Sequence, residues 1–105
     1  MKSINYNNEI IEITTEKKKL FGGVSTKTIT IQMKDIAKVA KEEFEGNLNS
    51  VTFFLKDNNE EFITLDEMKE KSELTSVLDF LIKSRDKYSY EVKLLDIETL
   101  EEKDI

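Results

Sequence analysis

Apolar residues alternate with polar ones in two early segments of the chain. Ile11 and Ile13 share one parity, and so do Ile29, Ile31 and Met33, with Glu, Thr and Gln between them. Because successive side chains of a strand point to opposite faces, this spacing predicts two half-buried β-strands.

The chain contains no Pro, so its turns are predicted from Gly and Asn. Four dipeptides divide pairs of apolar segments: Asn7-Asn8, Gly22-Gly23, Gly46-Asn47 and Asn58-Asn59. A tight turn at the first of these places Ile4 opposite Ile11. A two-residue loop at the second would place Ile13 opposite Gln32, on the polar face. We therefore expect a bulge or an irregular loop there, which pairs Ile13 with Met33 instead.

The clearest hairpin pattern lies at residues 51–65, where two apolar runs flank Asn58-Asn59. A two-residue loop at that dipeptide produces two apolar facing pairs and one pair of opposite charge: Leu55 with Phe62, Phe54 with Ile63, and Lys56 with Glu61. Such pairs are what stabilises an antiparallel register. The pattern therefore predicts two paired strands.

The apolar period changes after residue 66. Leu74, Val77, Leu78 and Leu81 lie on one helical face, which predicts a helix over roughly 72–84.

Alternation then returns at Tyr88, Tyr90, Val92 and Leu94, which predicts an extra C-terminal strand at about 88–95. That strand is expected to pair with a sheet edge or with another copy of the chain. The acidic tail, 96–105, is expected to be frayed.

Residues 33–45 fit more than one structure. Ile36, Ala37, Ala40 and Phe44 follow Met33 at helical spacing in a stretch of good helix formers. Propensity alone therefore favours a helix in this stretch.

A longer segment that includes part of this stretch favours a different structure. It runs from Lys19 to Ile31 (KLFGGVSTKTITI) and continues from Met33 to Val39 (MKDIAKV). With the later hairpin and helix, it resembles the short bacterial pleckstrin-homology-like (PH-like) domains. The resemblance implies a mainly β (α+β) fold, a bent antiparallel PH-like barrel over about 9–84 that the C-terminal helix closes. It also implies that residues 36–45 are extended, whereas a helix there would produce an α+β fold of order ββαββαβ.

Composition limits the chemistry that the chain can perform. A length of 105 residues fits a single domain over 1–105, and the absence of His and Cys excludes His triads, thiolate metal sites and disulfides. The segment Gly22–Thr28 lacks the Gly that a phosphate loop needs before its Lys, because Thr26 stands there. The segment from Asp57 has Phe62 where a calcium loop needs Gly. We therefore expect no enzyme activity, no catalytic residues, no metal and no cofactor.

The charge is uneven along a chain of net charge −6. Residues 1–41 hold eight Lys against four acids, whereas residues 42–105 hold eight basic residues against eighteen acids. Asymmetry of this kind favours a charged partner.

A basic run followed by two apolar residues is the candidate binding site. Lys near an anionic membrane contributes about 1 kcal/mol each, and Leu or Phe inserts among headgroups. In eukaryotic relatives of the resembled family, the first hairpin holds the basic headgroup site. The candidate binding residues are Lys17, Lys18, Lys19, Leu20, Phe21 and Lys27.

These observations predict a non-catalytic PH-like interaction module. Its expected partner is another protein, itself, or weakly an anionic membrane surface, and nucleic acid is disfavoured because the domain is acidic. The alternative is a small acidic inhibitor or immunity protein from a phage or mobile element, which would block a basic site by charge mimicry. With no apolar run of about 18 residues and no signal peptide in view, a cytoplasmic location is expected, with peripheral membrane contact as an option.

Overall fold

The computed structural model describes residues 1–57, 62–66, 68 and 70–105. Within these ranges the chain forms eight strands, one 3₁₀ turn and one α-helix. The strands are β1 (Lys2–Tyr6), β2 (Ile10–Lys18), β3 (Val24–Gln32), β4 (Ile36–Phe44), β5 (Asn47–Leu55), β6 (Phe62–Leu65), β7 (Glu91–Asp96) and β8 (Glu102–Asp104). The turn is Met33–Asp35, and the helix α1 is Lys71–Tyr88.

The described strands form two sheets. The N-terminal sheet has the order β1-β2-β3 and is antiparallel throughout. The C-terminal sheet has the order β6-β5-β4-β7-β8, in which only the β4–β7 pair is parallel. The fold is therefore mainly β with one helix, which confirms the predicted fold class.

The core lies between the two sheets and α1. The N-terminal sheet contributes Ile11, Ile13 and Ile31, which the alternating pattern had identified. The C-terminal sheet and one face of α1 contribute most of the others: Ile36, Val39, Val51, Phe53, Val92, Leu74, Val77, Leu78 and Leu81. Met33 and Tyr90 join them from outside these elements.

The sheets do not close into the barrel that the resemblance implied. β3 ends one sheet and β4 lies inside the other, although the two strands are consecutive in the chain. The 3₁₀ turn Met33–Asp35 separates them, and the buried Met33 anchors that turn in the core. The change of direction at this turn makes β4 pair with β5 and β7 instead of β3.

Residues 36–44 are extended, so the extended structure implied for 36–45 is confirmed and the ββαββαβ alternative is wrong. β4 has β5 on one side and β7 on the other. Ile36 and Val39 are fully buried although they stand three residues apart. A register shift between Ile36 and Lys38 places both on the core side, because a bulge changes the face of the residues that follow it. Burial in a central strand outweighs the helix propensity of this stretch.

The two registers predicted for the N-terminal sheet are both wrong in detail. Ile4 pairs with Ile13, not Ile11, because the Asn7 side chain accepts hydrogen bonds from the backbone of residues 9 and 10 and widens the turn. Ile13 pairs with Ile29 and not with Met33, across an irregular loop.

In the later hairpin both strands are confirmed, but their register is shifted by one. Phe53 pairs with Ile63 and Phe54 with Phe62. In the predicted register the fully buried Phe53 would have faced Thr64, whereas the shift pairs it with the apolar Ile63. The predicted Asn58-Asn59 loop and the partner of Lys56, Glu61, lie outside the described residues.

The C-terminal region differs from its prediction in two ways. The helix is confirmed but continues to Tyr88, and Ser89 ends it in the left-handed region, so the next strand begins at Glu91. The tail is not wholly frayed, because β8 pairs with β7 and Asp104 accepts a hydrogen bond from Lys93. This hydrogen bond raises the pKa of the Lys93 amine. β7 is thus an internal strand and not an edge for a second copy.

Candidate functional site

The hairpin between β2 and β3 ends in an irregular loop at residues 19–23. Lys18 pairs with Val24 in the last rung of the ladder. The Lys19 N–H donates to the Gly23 carbonyl at 3.1 Å, and the Gly22 N–H donates to the Lys19 carbonyl at 3.3 Å. The φ angles of Gly22 and Gly23, +93° and +81°, lie in the region that favours glycine. These two residues therefore allow the loop to close.

The two apolar residues of this loop point into solvent. Leu20 is 91% exposed and Phe21 is 96% exposed, so neither folds back onto the core. Val24, just after the loop, is also exposed, and it extends the apolar area. Large hydrophobic side chains this exposed at the end of a hairpin are available to insert into another surface.

Exposure extends well below the loop. Every residue from 16 to 28 is exposed, whereas Ile13 and Ile31 are buried. We call residues 16–28 the hairpin tip. The tip projects beyond the core, so its side chains are free of the packing that fixes the rest of the sheet.

The structure brings all six sequence-predicted binding residues into the hairpin tip. The register places Lys17 and Lys27 on one face of the hairpin and Lys18 with Val24 on the other. Lys19 begins the loop itself.

The charge of the hairpin tip is opposite to that of the whole chain. Four Lys and one acid, Glu16, lie between residues 16 and 28, which amounts to a net charge of +3. The chain as a whole carries −6. Lys17, Lys18 and Lys19 directly precede the apolar apex formed by Leu20 and Phe21. Such an arrangement suits contact with an anionic surface whose interior is apolar.

A polar cluster on the C-terminal sheet was missed by sequence reasoning. The Ser50 hydroxyl donates to Glu42 Oε2 at 2.8 Å, and the Thr52 hydroxyl donates to Glu42 Oε1 at 3.5 Å. Ser50 and Thr52 are buried. Since a buried hydroxyl without a partner is costly, Glu42 stabilises the β4–β5 pair. Alternation places Ser50 and Thr52 on one face of β5, but only the observed register brings Glu42 opposite Ser50.

An open groove of about 660 Å³ lies where the end of the β4–β5 hairpin meets the start of α1. Its described lining is apolar or neutral and consists of Phe44, Asn47, Leu48, Asn49, Met68, Leu74 and Thr75. Without a charged side chain, this lining supplies shape and apolar contact but no acid–base group.

No family model matches the chain, and no curated protein or solved structure matches it at a significant level. In the part of the chain that the structure describes, no helix is long and apolar enough to cross a membrane.

Proposed function

We propose that this protein is a non-catalytic interaction module that docks its hairpin tip weakly onto an anionic membrane surface. The observation that carries the proposal is the apex itself, where Leu20 and Phe21 are almost fully exposed beside three consecutive Lys. The sequence resemblance of the same segment to PH-like domains is a second reason for it, although the barrel that this resemblance implied is not formed.

The convex shape of the tip favours a lipid surface over a protein surface. A protein partner would need a preformed pocket for two large side chains, whereas a lipid interface deforms around them. The ladder places Lys17, Lys18 and Lys27 behind the apex, on the side from which long Lys side chains can reach anionic headgroups. The acidic remainder of the chain would be held away from the membrane, which orients the molecule.

The expected affinity is modest. Four Lys contribute about 1 kcal/mol each near an anionic leaflet. Leu20 and Phe21 contribute roughly 1.5–3 kcal/mol each when fully buried. Ordering costs and repulsion of the acidic body oppose these gains, so binding is reversible and of roughly micromolar strength or weaker.

Vesicle co-sedimentation tests the proposal, with phosphatidylcholine vesicles compared to vesicles that also contain phosphatidylserine. The wild-type chain should bind only the second kind, and added salt should weaken binding. Changing Lys17, Lys18 and Lys19 together to Glu should abolish binding. The matched control changes Lys34, Lys56 and Lys83 to Glu, three exposed lysines away from the tip with the same change in net charge. This control should still bind.

Phe21→Ser tests the apolar part of the site. It should weaken vesicle binding at every salt concentration, while Phe44→Ser, at an exposed Phe elsewhere, should not. The same variants are compared in a pull-down from a cell lysate. If both tip variants bind vesicles like the wild type but no longer capture a cellular protein, the occupant is a protein and the membrane proposal is wrong. If vesicle binding and protein capture are both unchanged, the acidic half becomes the candidate binding face and the inhibitor alternative takes precedence.

A further inference from the structure

β3 is an open sheet edge. It has β2 on one side, and no other described strand pairs with it. The strand runs for nine residues, Val24–Gln32, without a register shift. The other described edges are shorter: β1 has five residues and is bridged to Met68, β6 has four, and β8 has three, all charged.

The two ends of the β2–β3 ladder show which backbone groups of β3 face outward. At one end the Lys19 N–H donates to the Gly23 carbonyl, and at the other the Met33 N–H donates to the Glu9 carbonyl at 2.8 Å. Bonded and non-bonded pairs alternate along an antiparallel ladder, so the odd-numbered residues of β3 bond to β2. The residues whose N–H and C=O point away from β2 are Val24, Thr26, Thr28, Thr30 and Gln32.

The side chains agree with this assignment. Thr14 and Thr28 face each other, and their hydroxyl oxygens lie 3.1 Å apart. Side chains approach most closely in the non-hydrogen-bonded pairs of an antiparallel ladder. Thr28 is therefore a residue whose backbone groups are directed outward.

β3 also lacks most of the features that keep sheet edges apart. Natural edges carry several charges, Pro, bulges or a covering element. β3 has a single charged residue, Lys27, no Pro and no bulge, and its remaining residues are mostly Thr and Ile. Residues 24–28 are exposed on both faces, so an approaching strand meets no side chain packed over this half.

We infer that β3 pairs antiparallel with β3 of a second copy of this chain, about a two-fold axis at Thr28. Thr28 is the middle residue of Val24–Gln32, so this register overlaps the two strands completely. It sets Val24 opposite Gln32 and Thr26 opposite Thr30, which gives every outward N–H and C=O a partner. The product is a continuous six-stranded sheet.

Charge selects this register over one of its two neighbours. With Thr28 opposite Thr28, Lys27 faces Ile29 of the second copy. A register shifted by one pair, centred on Lys27, would set the two Lys27 side chains directly opposite each other, which is destabilising. Both copies carry −6, so association should strengthen as salt rises. This response is opposite to that expected for the hairpin tip on an anionic membrane, so the two proposals succeed or fail separately.

Charge substitution at the two-fold axis tests the inference. Thr28→Lys and Thr28→Glu each place like charges opposite each other and should weaken the dimer about tenfold or more, measured by sedimentation equilibrium. An equimolar mixture of the two variants should restore it, because the opposed charges then attract. Ser76→Lys, at an exposed helix position, is the matched control and should dimerise like the wild type.

Hydrogen exchange on the wild-type chain gives a readout that needs no variant. Raising the protein concentration should protect the amides of Thr26, Thr28 and Thr30, whereas those of Lys27 and Ile29 are protected at every concentration. A chain that stays monomeric throughout overturns the inference. So does a dimer that both Thr28 variants leave intact, because it then uses another surface.

Discussion

Leu78 and Leu81 face the core from α1, and both are almost completely buried. Removing a buried Leu side chain loses its transfer free energy and leaves a cavity. Leu78→Ala should therefore lower the free energy of unfolding by about 2–5 kcal/mol in urea titrations. Ser76→Ala, on the exposed side of the same helix, should change it by less than about 0.5 kcal/mol. A comparably small effect of Leu78→Ala would show that α1 does not cover the core.

Tyr90 is a buried phenol whose hydroxyl donates to the Leu81 carbonyl in α1. Burial disfavours the phenolate and raises the pKa of Tyr90 from 10 to about 12. Because the folded state favours the neutral form, this contribution to stability is complete below pH 10. It is lost as the pH rises from 10 through about 12 and amounts to roughly 2–3 kcal/mol.

Tyr90→Phe separates this effect from the titration of the lysines. The variant should be less stable by about 0.5–1.5 kcal/mol near neutral pH, because it loses one hydrogen bond. Its stability should also fall less steeply than that of the wild type between pH 10 and 12. Parallel pH curves for the two proteins would contradict the assignment to Tyr90.

At the scale of elements, the β4–β5 hairpin turns one residue earlier than the sequence indicated. Phe44 pairs with Asn47, so the loop consists of Glu45 and Gly46 and not of Gly46 and Asn47. Both loop residues have positive φ, +52° and +79°, as a type I′ turn requires. This turn matches the twist of the strands, but Glu is a poor choice for its first position.

Two substitutions in this turn should act in opposite directions. Glu45→Asn should raise the free energy of unfolding by a few tenths of a kcal/mol, because Asn tolerates a positive φ. Gly46→Ala should lower it by about 1–2 kcal/mol through backbone strain alone, since an added Cβ meets no atom within 4 Å. Thermal unfolding of the two variants checks both signs. Equal stability of Gly46→Ala and the wild type would contradict the positive φ at this position.

At the scale of the whole molecule, the hairpin tip and the β3 edge have a joint consequence. Antiparallel pairing of two β3 strands puts the two tips at opposite ends of the six-stranded sheet. One dimer would then reach two membranes and would not use both tips on one. The wild-type chain should therefore cluster phosphatidylserine vesicles at concentrations where it dimerises, observed as turbidity.

Thr28→Lys distinguishes this consequence from simple binding. It adds a positive charge to the hairpin tip, so it should still co-sediment with the vesicles, but it should not cluster them. Clustering by Thr28→Lys equal to that by the wild type would show that the bridge between membranes is not the β3 pair. Thr28 lies in the hairpin tip but outside the basic run and the apolar apex, so loss of clustering without loss of binding is informative.

The sequence by itself determined which local segments form strands and which forms the helix, wherever one periodicity dominates. Ile11, Ile13, Ile29 and Ile31 alternate without interruption, and the β2–β3 pair was predicted on the correct face. The apolar stripe of α1 was equally clear. The candidate binding residues at the hairpin tip were also proposed from sequence, because a run of three Lys before Leu and Phe needs no tertiary information to be recognised; their role stays a prediction.

Only the tertiary structure decided what depends on partners distant in the chain. Ile36 and Val39 have helical spacing, and a strand can bury both only because β5 pairs with β4 across a register shift. The parallel β4–β7 pair joins segments about fifty residues apart, and the β3 edge is open because the turn at Met33–Asp35 redirects the chain. Local propensity amounts to tenths of a kcal/mol per residue, whereas burying one core side chain yields roughly 1.5–3 kcal/mol, so packing overrides propensity where the two disagree.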